Sequence, residues 1–161
     1  MADWASRVTA WTHEATPHAV EKTPRAMNVS EIAFLVDMVK TEMFELARTI
    51  MTIDEAYELV YKKAPRAADM QMMSKYVQPT GDKLILEQAD ALVDWTVYTL
   101  NAAAKMRWNL NPVFNEVMLA NEAKRWADGT YHRREDGKII KPDNWKEPNL
   151  DRALPGLLSK I

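Results

Sequence analysis

The stretch LILEQADALVDWTVYTLNAAA, residues 84–104, decides the fold. It is almost wholly apolar, and Asp82 can cap a helix that runs through it to about Arg107. A helix so uniformly apolar is expected to be buried all round, with Trp95 in the core. Its acids are Glu87, Asp90 and Asp94, at spacings of three and four. Those spacings stack side chains on one stripe, which Tyr98 and Asn101 extend. An acidic stripe on a buried helix has to face something that tolerates negative charge.

Upstream, Asn28 and Glu31 match a capping box, and an amphipathic segment follows to about Ile50. On a helical wheel Ile32, Phe34, Leu35, Met38, Val39 and Leu46 share one side. Asp37, Lys40 and Arg48 lie opposite, as a solvent face should. Glu42 and Glu45 do not join them; they fall among Phe34, Leu35 and Met38, on the side expected to be buried. Thr52 and Glu55 repeat the capping-box spacing and open a shorter helix ending near Pro65. Residues 66–81 hold one helical piece around 70–76, then a turn at Pro79-Thr80-Gly81.

Asn111-Pro112 is a helix start, and that helix should stop before Asp128-Gly129. A further helix is expected over about 3–14, with residues 16–24 as a linker. Beyond Gly129, YHRREDGKII (131–140) reads as a short hairpin around an Asp-Gly turn, and the rest as an extended arm. The expectation is an all-α helical bundle of four to six helices, one domain over 1–161. Its core spans about 28–128, with a C-terminal hairpin or arm over about 129–161.

Carboxylates buried without partners cost several kcal/mol each, so they neutralise, pair with basic groups or bind metal. Basic residues are scarce on these two segments. Facing each other, Glu42, Glu45, Glu87 and Asp90 would form a cage of oxygen ligands of the kind that hard cations such as Mg²⁺ select. A structural calcium site or a carboxylate–arginine lattice uses the same residues, and a lone E-x-x-E is ordinarily a solvated face. None of His13, His18 and His132 stands at the E-x-x-H spacing of di-iron bundles. His13-Glu14 followed by His18 is no zincin either, because the second histidine is one residue too far and Pro17 interrupts the turn.

The bulk numbers narrow the classes. The formal net charge of −2 gives no support to duplex nucleic-acid binding. The absence of cysteine excludes disulfides and thiolate metal sites, and a reducing, cytoplasmic setting fits. No run approaches the roughly 18 apolar residues of a membrane span. The opening MADWASRVTA lacks the charged-then-apolar order of a signal peptide. No strand–Gly-rich-loop–Lys pattern indicates a P-loop.

E-M-F-E at 42–45 and E-Q-A-D at 87–90, continuing to Asp94, resemble the all-α nucleotide pyrophosphohydrolases. That superfamily includes the MazG proteins, dimeric dUTPases and phosphoribosyl-ATP pyrophosphohydrolase. QADALVD (88–94), NLNPVFNEV (109–117), ANEAKR (120–125) and RREDGKIIKPDNWKEP (133–148) look like the phosphoribosyl-ATP pyrophosphohydrolase-like branch, as does VTAWTHE (8–14). The likeness covers about residues 28–150 and is strongest from 87 onward.

The resemblance implies that Glu42, Glu45, Glu87 and Asp90 bind Mg²⁺ (with Mn²⁺ as a possible substitute) and that Asp94 is a further ligand or lies just behind them. It implies that Asn121 and Lys124 contact the substrate, and that Lys138 and Lys141, with Arg134, reach its phosphates. Without it, Asn121 is a helix-surface amide and the hairpin cations are solvated. The implied reaction is hydrolysis of a nucleoside triphosphate, or a phosphoribosyl-ATP-like compound, to a monophosphate and pyrophosphate. Water attacks the α-phosphorus, with Glu45 orienting or deprotonating it and Glu42 essential. Similar proteins are homodimers or dimers of dimers whose sites a neighbouring chain can complete. The competing expectation is a non-catalytic, metal-stabilised helical dimer that binds nucleotides or a partner protein.

Overall fold

The computed structural model describes residues 3–159, apart from the Met72 side chain; the two residues at each end of the chain lie outside the described residues. Among the described residues there are seven α-helices and no strand beyond one isolated bridge. The all-α expectation holds.

Capping fixes where the helices start. The Asp3 carboxylate accepts from the Ser6 N–H at 2.8 Å and opens α1 (Trp4–Ala15). The linker after it contains a short 3-10 turn, Pro17–Ala19. In α2 (Val29–Arg48) the Asn28 side chain accepts from the Glu31 N–H at 3.0 Å, and Glu31 accepts from the Asn28 N–H at 2.8 Å. Thr52 and Glu55 repeat that box at the head of α3 (Ile53–Tyr61). The helical piece in the following segment comes slightly earlier than expected, as α4 (Ala67–Met73), because Arg66 and Asp69 clamp its first turn with an ion pair at 2.9 Å.

The long helix is α5 (Gly81–Lys105). Gly81 has φ +56°, and Asp82 falls inside the first turn rather than capping it. There its charge complements the helix N-terminus. The helix α6 (Asn111–Glu122) carries Pro112 in its first turn, where no hydrogen bond is lost.

The expected count of four to six helices is too low, because residues 150–157 form a helix, α7 (Leu150–Leu157), instead of continuing an extended arm. Pro155 disguises it in the sequence. Asn149 caps its start, accepting from the Arg152 N–H at 3.1 Å, and its packing on α6 outweighs the proline. The expected hairpin is reduced to a tight turn. Arg133 and Ile139 form a single antiparallel bridge, and Gly137 takes φ +81° between them.

The α2 and α5 helices run antiparallel and make the most extensive contact in the chain. Gln88 bonds Thr49 at 3.2 Å near one end, while Phe34 and Leu35 share a cavity with Tyr98 and Asn101 near the other. The outer side of α2 builds the core with α3: Phe44 meets Tyr57 edge-on at 4.9 Å, with Ala47 and Ala56 buried beside them. The α1 helix lies along α5, and α6 packs on α7 while barely touching α2 or α5.

The long helix is therefore not buried all round. Ala91, Ala103 and Ala104 are buried, yet Ile85 and Leu86 are 66% and 68% exposed and Trp95 is 38% exposed. Among the described residues α1 and α2 are the helices that pack along it, on two of its sides. On α2, Ile32, Val36 and Met43 are likewise exposed, as is Ile50 in the turn that follows it. They belong to a run with Val39 and Leu46 at alternating spacings of four and three, the pattern of an interhelical seam.

At the α6–α7 contact, a Cβ on Gly156 would stand 2.7 Å from Cγ of Pro112. A rigid ring cannot yield to it, so Gly156→Ala is expected to cost about 1–3 kcal/mol by overpacking. A lowered urea midpoint, accompanied by loss of α7 amide protection in hydrogen exchange, would show this; an unchanged midpoint would contradict it.

Candidate functional site

The site grows from the antiparallel α2–α5 pair. Glu42 is buried, 7% exposed, on the side of α2 that meets α5. Its carboxyl is pushed above the usual glutamate range, first by burial and then by the negative charges of Glu45, Asp94 and Asp90, with Arg48 opposing them. Two helices thus bring four of the five expected acids into one electrostatic cluster. Among the described residues, no three acidic or histidine side chains converge closely enough to enclose a metal ion; the acids line one flank of the helix pair.

The five acids fall into two groups. Glu45 pairs with Arg48 at 3.6 Å, and Glu87 pairs with Lys83 at 3.5 Å while accepting from the Tyr76 hydroxyl at 3.2 Å. Glu42, Asp90 and Asp94 make no ion pair or side-chain hydrogen bond among the described residues. The paired acids stand toward the end of α2 and the start of α5. Of the unpaired ones only Glu42 is buried; Asp90 and Asp94 are exposed midway along α5, because the faces that carry them meet no other helix closely enough to cover them.

Arg48 corrects the wheel, which places it on the solvent face. Its side chain is only a quarter exposed, its guanidinium lies 4.3 Å above the Tyr76 ring, and its Nε is buried without a partner. The segment between α4 and α5 folds over this end of α2, with Gln78 donating to the Met51 carbonyl at 2.6 Å, and carries Tyr76 onto the arginine. The Glu45–Arg48 spacing of three was a legible sign of a helical ion pair. Nothing local in the sequence announced Tyr76.

The expected substrate-contacting residues gather elsewhere. Asn121 accepts from Lys124 at 2.6 Å. Lys141 lies 3.7 Å and Lys124 5.9 Å from the Trp145 ring centroid, and the indole N–H of Trp145 donates to the Ala120 carbonyl at 2.7 Å. One indole thus holds two ammonium groups and the end of α6 together. Arg134 pairs with Asp136 on the turn, and Lys138 is exposed beside it. This cationic cluster belongs to α6 and the segment that folds back on it, apart from the α2–α5 acids.

The chain matches none of the protein-family models and none of the curated proteins with which it was compared. Among the described residues no helix is long and apolar enough to cross a membrane.

A group whose pKa is raised on folding stabilises the fold while protonated, and that contribution is lost as pH rises through the raised value. Glu42→Gln, which keeps the shape without the charge, is therefore expected to raise Tm at neutral pH in the absence of divalent cations. The gain should vanish below the ordinary glutamate value of 4.5. Thermal melts of both proteins from pH 4 to 8 check this, and a less stable Glu42→Gln at neutral pH would refute it.

Proposed function

We propose that the protein is a magnesium-dependent nucleotide pyrophosphohydrolase, cutting a nucleoside triphosphate or a related compound into a monophosphate and pyrophosphate. The observation that carries this reading is the buried Glu42, crowded by Asp90, Asp94 and Glu45, while the middle acids have no cationic partner. Oxygen donors without a competing ammonium or guanidinium suit a hard divalent cation. Glu42, Asp90 and Asp94, with Glu45 and Glu87 at the flank, would hold Mg²⁺, for which Mn²⁺ could substitute. When bound, the ion supplies neutralisation of charge on the phosphate oxygens.

The chain's own groups divide the rest. Glu45, half-buried and oriented by Arg48, would take the proton of the water that attacks the α-phosphorus in line. Pyrophosphate leaves, and the chemistry needs positioning and electrostatics rather than a covalent nucleophile. Lys138 and Lys141, with Arg134, would hold phosphate oxygens, and Asn121 and Lys124 would hold the substrate beside them.

Those cations hang on α6 and its return segment, so a neighbouring chain would bring them to the acids. The uncovered face of α2 and α5 supports a homodimer, or a dimer of dimers, formed by two copies of the apolar seam. Nothing in the charge balance favours a nucleic-acid duplex as partner, and a cytoplasmic setting belongs to the same proposal.

Incubated with Mg²⁺ and a panel of nucleoside triphosphates, the protein should release pyrophosphate, not orthophosphate. Chelation should stop it, and Glu42→Ala should reduce turnover at least ~100-fold with the helical content intact. If Glu42→Ala, Glu45→Ala and Glu87→Ala all keep near-normal rates, the site assignment is wrong. Saturable binding without turnover would favour the non-catalytic reading.

Assembly has its own check. Met43→Glu combined with Leu92→Glu should convert a dimer into a helical monomer in sedimentation. A wild-type protein that sediments as a monomer at micromolar concentration would rule the seam out as an interface.

A further inference from the structure

A cavity of about 490 Å³ opens at one end of the acidic stripe, where the first half of α2 meets the second half of α5. Because the helices are antiparallel, moving two turns from Glu42 toward the start of α2 reaches Leu35. Moving two turns from Asp94 toward the end of α5 reaches Asn101. Both residues line the cavity. Seven helical residues span about 10 Å, a length comparable with the sugar and base of a nucleotide. A groove of about 420 Å³ between α1 and α5, lined by Trp4 and Trp11, and one of about 550 Å³ between α6 and α7 include none of the five acids.

The lining has a particular chemistry. Phe34, 58% exposed, and Tyr98 bring aromatic rings to the cavity, and Leu35 and Met106 supply apolar wall. The two wall carboxylates are already engaged: Arg25 bonds Glu21 and Glu31, each at 2.6 Å. The Arg25 guanidinium and the Asn28 N–H hold the Glu31 carboxyl down at about 2. The Asn101 amide and the Tyr98 hydroxyl make no side-chain hydrogen bond among the described residues. An amide presents two donors and an acceptor in one plane. Two aromatic rings beside this amide, with Lys105 and His18 also at the wall, suit a flat ring with a polar edge.

We infer that this cavity is a nucleobase subsite, with Phe34 and Tyr98 contacting the faces of the base and Asn101 bonding its polar edge. The inference rests on the hydrolase reading for the direction of the substrate: phosphates toward Glu42 and Asp94, base toward Asn101. It adds that selection among nucleotides is made between α2 and α5, two helical turns from the acids.

The test uses the full chain and four probes, dATP, dCTP, dGTP and dTTP, with inorganic tripolyphosphate as the base-free control, each titrated with Mg²⁺ present. At least one nucleotide should bind more tightly than tripolyphosphate. Asn101→Ala should weaken that nucleotide about threefold to tenfold, the weight of one hydrogen bond, and leave tripolyphosphate unchanged. Phe34→Ala, at an exposed position that cannot disturb the core, should do the same.

Equal affinity for all four nucleotides and tripolyphosphate overturns the inference, as does an equal loss for both kinds of ligand in the variants. Pyrophosphate release measured on the same samples separates the two readings. Nucleotide binding that depends on Asn101 without hydrolysis would sink the hydrolase and keep the subsite. Hydrolysis with nucleotide affinity indifferent to Asn101 and Phe34 would sink the subsite alone.

Discussion

The structure depends on one contact, the antiparallel packing of α2 on α5. It buries Glu42 within reach of the negative charges of the exposed Asp90 and Asp94 and aligns the acids of both helices along one flank. It also leaves the apolar residues Ile32, Met43, Ile85 and Leu92 exposed among the described residues. A helix pair that concentrates negative charge along one flank while exposing apolar side chains gains little stability from those features in isolation. Both become intelligible if each surface receives something: a cation and phosphates on the acids, a second chain on the apolar residues.

Ion pairing divides the acids. Arg48 and Lys83 neutralise Glu45 and Glu87, and Tyr76 ties the segment before α5 to both. Exposed or half-exposed pairs of this kind contribute modestly to stability, but they fix side-chain direction. The middle acids have no such restraint. In the proposed hydrolase they are the ones left for the metal, so that Asp94 joins Glu42 and Asp90 while Glu45 and Glu87 move from the expected ligand set to its flank.

The cationic residues pose a different constraint. Lys124 and Lys141 gather on Trp145, which anchors to the end of α6, and α7 packs on the other part of α6 with Arg152 paired to the buried Glu116 at 2.7 Å. This substructure has its own internal bonding and little contact with the acidic helices. Within one chain these cations stay apart from the acids of α2 and α5, which is why the proposed function calls on a second chain to bring them together.

By itself the sequence determined the helices and their starts. Asn28 with Glu31, and Thr52 with Glu55, are local hydrogen-bonding patterns that need no tertiary partner, and acids spaced by three and four on α5 share a stripe by helix geometry alone. What the sequence could not determine was the environment of each side. Arg48 reads as a solvent residue until the segment carrying Tyr76 folds over it. Residues 150–157 read as an arm until α6 offers them a surface, and the apolar α5 reads as buried although, among the described residues, two helices pack along it and leave the rest exposed. The cavity between Phe34 and Asn101 exists only because residues far apart in the chain meet through antiparallel packing. Capping and periodicity are short-range and therefore legible, whereas burial, pairing and pocket shape depend on which surfaces meet, and that is settled only in three dimensions.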